Sequence, residues 1–140
     1  MSVDNHNAVL DAITASLATA LPLRNVQRSL VDPANESAER LLAGVVCVVS
    51  EGGGKFANYR GREGDLGTMH VRLVGFVQVA EGTTPADIEI AELTLLGEFL
   101  RWISTTAVPG LDALYPGDWA QSKQLEHPHG WLVLALTVKP

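Results

Sequence analysis

Few residues in this chain have the type and spacing that chemistry demands. Glu51-Gly52-Gly53-Gly54-Lys55 has the glycines and the lysine of a phosphate-cradling loop. That loop also needs a first glycine well before the Gly-Lys pair, a Ser or Thr after the lysine, and a helix to follow. Phe56 follows the lysine here and no helical pattern opens, so the segment reads as a plain loop. His127 and His129 flank Pro128 beside Glu126, and residues two apart on an extended segment share a face. His70 is a remote further ligand. Zinc needs three or four convergent ligands, and nothing else in the chain has paired ligand spacing, so the set reads as a turn and no metal or cofactor is assigned. Ser2, Ser16, Ser29, Ser37, Ser50, Ser104 and Ser122 lie in no Gly-x-Ser-x-Gly elbow. Asp112, Asp118 and Glu126 are expected to be solvated. No catalytic residue is assigned, and the chain is read as a non-enzyme.

Lys55, Phe56, Tyr59, Arg60 and Arg62 mix basic and aromatic residues, as single-strand nucleic-acid contacts and protein hot spots both do. The balance of charge bears on the choice. Ten Lys and Arg against sixteen Asp and Glu give a net charge of −6. Duplex binding needs many neutralising cations, and an acidic surface lets a polyanion pass without holding it. The five residues are therefore read as a partner-docking loop for an acidic protein.

Cys47 sits within Val45-Val46-Cys47-Val48-Val49. A single cysteine excludes an intramolecular disulfide and suits a reducing compartment. In apolar surroundings its thiol is a small packing group rather than a nucleophile.

The elements that must position these residues follow from periodicity. Val9, Leu10, Ile13, Leu17 and Leu21 predict an amphipathic helix over Asp4 to Ala20, capped by Asp4 and stopped by Pro22. Leu23 to Val31 allows a short strand, Asp32 to Asn35 a turn, and Glu36 to Leu42 a helical turn. Val45 to Val49 has the β-branched profile of a central strand buried on both faces. Met69 to Ala80 alternates as a long strand. Thr84-Pro85-Ala86-Asp87 opens a long helix, with Pro at the first helical position and Asp in the first turn. After a loop through Tyr115-Pro116-Gly117, a closing hairpin is expected: a strand near Ser122 to Glu126, a turn at His127 to Gly130, and a strand over Trp131 to Val138. The sum is one α+β domain over residues 1–140. It has a mostly antiparallel sheet of about four to five strands, helices packed on one face, and a flexible Gly-rich loop at about 51–67. No signal peptide or membrane span is visible.

More surface is apolar than one small core needs. Met69, Val71, Leu73, Gly75, Val77 and Val79 make one strand face, yet the opposite face carries Val74 and Phe76 among His70, Arg72 and Gln78. Trp131, Val133 and Ala135 do the same in the last strand. The polar stripe of the long helix is narrow: Asp87, Thr94, Glu98, Arg101 and Thr105. Surplus apolar faces in a short chain are expected to be buried against copies of itself.

This layout resembles the tail terminator proteins of long-tailed bacteriophages, the lambda-type minor tail proteins that cap the tail tube. The resemblance rests on Val9 to Leu21, Gly44 to Ser50, His70 to Ala80, Pro85 to Ile103 and Gly130 to Val138. It implies a structural protein of the virion tail, made in the host cytoplasm, that forms a homohexameric ring on the tail tube. That ring ends tube polymerisation, presents a surface to the head connector, and lets DNA through its channel without specific binding. Val74, Phe76, Trp131 and Val133 would then form the subunit interface, and the 51–67 loop would fold on docking. A head-completion or connector adaptor is the alternative within the same virion. A small α+β ligand-binding domain or enzyme, with its pocket beneath that loop, is the alternative from another class.

Overall fold

In a computed structural model, which describes residues 5–56 and 66–140, the chain runs α1 (His6–Ala20), β1 (Asn25–Gln27), a 3-10 turn (Pro33–Asn35), α2 (Ala38–Ala43), β2 (Val45–Gly54), β3 (Thr68–Gln78), α3 (Pro85–Thr105), β4 (Ala113–Gln121) and β5 (His129–Lys139). The five strands form one sheet in the order β1-β2-β3-β5-β4. Among the described residues only the β1–β2 pair is parallel. The fold is thus α+β with a mostly antiparallel sheet. Among the described residues no helix is long and apolar enough to cross a membrane.

Local chemistry accounts for the helices. Asn5 caps α1, its side chain accepting from the Ala8 N–H at 2.9 Å; Asp4, the expected cap, lies outside the described residues. At α3, Asp87 Oδ2 accepts from the Thr84 N–H at 2.8 Å and from the Thr84 hydroxyl at 3.1 Å, and Pro85 takes the first helical position. These contacts satisfy N-terminal groups that the helix itself cannot.

One sheet face carries the main core. Met69, Val71, Leu73 and Val77 of β3 join Leu132, Leu134, Leu136 and Val138 of β5 beneath Ile13 and Leu17 of α1 and Ile88, Leu95, Phe99 and Trp102 of α3. Each such buried side chain contributes about 1.5–3 kcal/mol. Trp102 Nε1 donates to Ser16 Oγ at 3.0 Å, joining the two helices. At Gly75 a Cβ would overlap the Leu95 side chain, so only glycine lets α3 settle this close to β3. Arg24 holds the other end of α3: its guanidinium reaches both Glu98 oxygens at 3.1 and 2.7 Å and the Ala43 carbonyl at 3.0 Å.

The opposite face is only half covered. Val45 and Cys47 are buried there with Leu41 of α2, and Val31, Val49, Val74 and Phe76 pack around them. Val45 to Val48 are therefore enclosed on both sides, as the β-branched run predicts.

Two boundaries differ from the sequence reading. β2 continues through Gly54, paired with Thr68, so residues 51–54 are strand rather than loop, and the Gly-Lys segment forms no phosphate cradle. A bulge between Ser50 and Gly52 absorbs the irregular register. The closing hairpin also begins earlier. Its first strand is Ala113–Gln121, and Ser122 to Pro128 form the connection. Pro116-Gly117 does not break that strand, because β4 is an edge and its register shifts between Pro116 and Trp119. A missing N–H is tolerated on an outer edge.

Candidate functional site

The four residues expected at a subunit interface lie side by side on the outer sheet face. Val74 stands opposite Val133, and Phe76 opposite Trp131. Their surroundings differ. Val74 and Phe76 are packed within the chain by the cluster under α2. Trp131, Val133 and Ala135 belong to neither apolar cluster and remain partly exposed. Beyond them on β4, Ala120 faces Val133 and Tyr115 faces Thr137. The Lys139 ammonium lies 5.9 Å from the centre of the Tyr115 ring. The open apolar patch is thus Trp131, Val133, Ala135, Ala120 and Tyr115, displaced toward β4 from the set read in the sequence. Arg72, also on this face, pairs with Glu51.

The docking loop is described only at its stem. Lys55 and Phe56 are both exposed, while Tyr59, Arg60 and Arg62 lie outside the described residues. The stem is held by α1. His6 Nε2 lies 2.8 Å from the Leu66 carbonyl oxygen, and the His6 ring meets Phe56 edge-to-face at 6.4 Å and 88°. This clamp has no sequence signal, since His6 is sixty residues from Leu66.

The candidate ligands do not gather. His127 Nε2 lies 3.0 Å from Thr83 Oγ1, His129 starts β5 opposite Gln78, and His70 stands far along β3 opposite Thr137. Among the described residues no three His, Cys, Asp or Glu side chains converge on a metal position. Cys47 is wholly buried. Burial pushes its thiol pKa up, against smaller opposing effects of the Val31 backbone and the Arg40 charge.

Glu92 is the polar residue that sequence reasoning missed. It is 0% exposed within α3, yet all of its contacts are made. Ser122 Oγ donates to Oε2 at 2.5 Å, the Trp131 N–H to Oε2 at 3.0 Å, and Gln121 Nε2 to Oε1 at 3.2 Å. A Cβ at Gly130 would overlap this carboxylate and Ile88. Glu92 therefore fastens both ends of the β4–β5 connection to α3. Its one signal in the sequence is position: an acid between Ile88 and Leu95 lies on the buried arc of the helix.

The far side of α3 is also apolar. Ile90, Leu93 and Leu100 are exposed, and Leu93 shares a shallow groove with Trp119, Glu89 and Lys123. Among the described residues two separate apolar surfaces therefore remain open, one on each side of the sheet. In comparisons with known proteins, the chain matches no family model and no curated protein sequence.

Proposed function

We propose that this chain is a self-assembling structural protein whose copies close into a ring, and that the ring caps the tail tube of a long-tailed phage. The observation that carries this reading is the open patch Trp131–Val133–Ala135, bordered by Ala120 and Tyr115. Apolar cross-strand rows in the middle of a sheet are costly to leave in water, and no apolar cluster among the described residues absorbs them. Copies joined head to tail through such a patch form a closed ring when the rotation between them closes. The element order on which the likeness to tail terminators rests supports the placement in a tail. In this reading the ring ends tube polymerisation and offers its other side to the head connector. DNA passes through its channel without specific binding, and the Lys55–Arg62 loop engages a protein neighbour.

The test uses the purified chain and a tail-assembly reaction. Light scattering and negative-stain microscopy should show rings, alone or once tail tubes are added. Val133→Lys should abolish them while the circular dichroism of the monomer stays unchanged. Tubes of normal length capped equally well by Val133→Lys would overturn the reading.

A further inference from the structure

α3 buries one face against the sheet and carries a second apolar stripe along its back. Ile90, Leu93 and Leu100 are 61%, 41% and 41% exposed. Between them, Gly97 has nothing within 4 Å of the place where a Cβ would stand. Spacings of three, four and three residues put the four on one line along the helix, the seam of a helix–helix contact. Trp119, 47% exposed, extends the stripe at Leu93.

The stripe reads alike from either end. Reversing α3 about Leu95 exchanges Ile90 with Leu100 and Leu93 with Gly97, so each leucine or isoleucine meets its like or the empty notch. The charges follow nearly the same reversal, centred one residue earlier, at Thr94. In an antiparallel helix pair related by a two-fold axis, a given flank of one helix faces the same flank of the other. Here that flank carries Asp87, Thr94 and Arg101. With the axis at Leu95, Asp87 of one copy falls within about 3 Å, along the helix, of Arg101 of the other, twice, and Thr94 lies about 3 Å along the helix from its own mate. Both charges are available. Asp87 commits Oδ2 to the Thr84 cap. The exposed Arg101 guanidinium has no hydrogen bond or ion pair among the described residues, only its carbonyl being used, by Ser104 and Thr105.

The geometry points to a second copy of this chain as the occupant of the α3 stripe, bound through an antiparallel two-fold contact that inserts Leu93 into the Gly97 notch and pairs Arg101 with Asp87. A partner of unrelated sequence would have no need of a surface that matches itself under reversal. The contact uses none of the residues of the ring patch and stands without that reading. One helix pair falls short of the roughly 1,200 Å² of a standard interface, so the dimer is weak and exchanging, with Trp119 widening it.

The test is sedimentation of the full chain across a wide concentration range, in the wild type and in Val133→Lys, which removes the ring patch. Val133→Lys should show a monomer–dimer equilibrium, and the wild type the same dimer contact, joining rings where rings form. Ile90→Glu should weaken it about tenfold or more by burying an unpaired charge. Arg101→Glu should weaken it about fivefold, an effect that shrinks as salt is raised. Thr94→Cys should be joined to its mate by a short bismaleimide. Ser104→Cys, on the same side of α3 but about 27 Å from its mate at about 1.5 Å rise per residue, should not. Three results would overturn the proposal: a strict monomer in Val133→Lys, a dimer indifferent to Ile90→Glu, or equal cross-linking at both cysteines. A larger oligomer that Ile90→Glu abolishes and Val133→Lys leaves intact would also overturn it, by placing the stripe in a ring.

Discussion

The two halves of the outer sheet face begin from the same strand chemistry and end differently. On the β2–β3 half, Leu41 of the short α2 closes over Val45 and Cys47, and Val74 and Phe76 complete a second small core. On the β5–β4 half, Trp131, Val133 and Ala135 alternate just as regularly but stay partly exposed. Alternation therefore tells which residues share a face, and covering tells what that face is for. The covered half contributes to folding. The open half is available to another molecule.

The difference can be broken from either side. The largest effect is expected at Glu92, which holds the connection leading into the open half. Glu92→Ala leaves the Trp131 N–H and the Ser122 hydroxyl without their acceptor and opens a cavity, a loss of about 3–5 kcal/mol. Urea unfolding measures it, and hydrogen exchange should show β4 and β5 loosening before β2. Leu41→Ala in the covered half should cost about 2–4 kcal/mol, as for other buried leucines, with Cys47 becoming reactive to thiol reagents in the native state. Unchanged reactivity would mean that α2 is not the cover.

A smaller effect concerns pH. The folded Cys47 thiol is held above its ordinary value of 9.0 by burial. Below that value both states keep the proton. Above it the unfolded chain binds fewer protons, so stability falls as pH rises. Cys47→Val should flatten the drop in melting temperature between neutral pH and about pH 10, relative to the wild type. The smallest effect on stability should come from Val133→Lys, within about 1 kcal/mol, because a partly exposed strand position lets a long cation reach water. Assembly is where that substitution should register.

Much of the architecture was legible because it rests on local or periodic signals. Thr84-Pro85-Ala86-Asp87 announces its own helix start, the alternation from Met69 onward its own strand, and the valine run its own enclosure. Edges and long-range neighbours were not legible. Pro116-Gly117 looks like a break unless β4 is known to be an edge strand, and that depends on β5 inserting between β3 and β4. The covering of Phe76 depends on where the six-residue α2 lands, which its own sequence does not state. Glu92 was hidden because its three donors come from residues 121–131. The likeness of Val74 and Phe76 to Trp131 and Val133 was visible; the difference between them required the third dimension.

The strand order also sets a sequence of events in synthesis. β3 finds one neighbour at once, through the hairpin with β2. Its other neighbour is β5, which joins Gln78 to His129 and Met69 to Val138. That edge must wait for α3 and β4 to be made. During the interval a long, largely apolar strand offers unpaired backbone groups to any passing chain, the condition under which nascent proteins aggregate. α3, which docks against β3 at Gly75, is the one later element that can shield that strand before β5 arrives. Variants that delay α3 should therefore lower soluble yield at high expression temperature more than their equilibrium stability predicts.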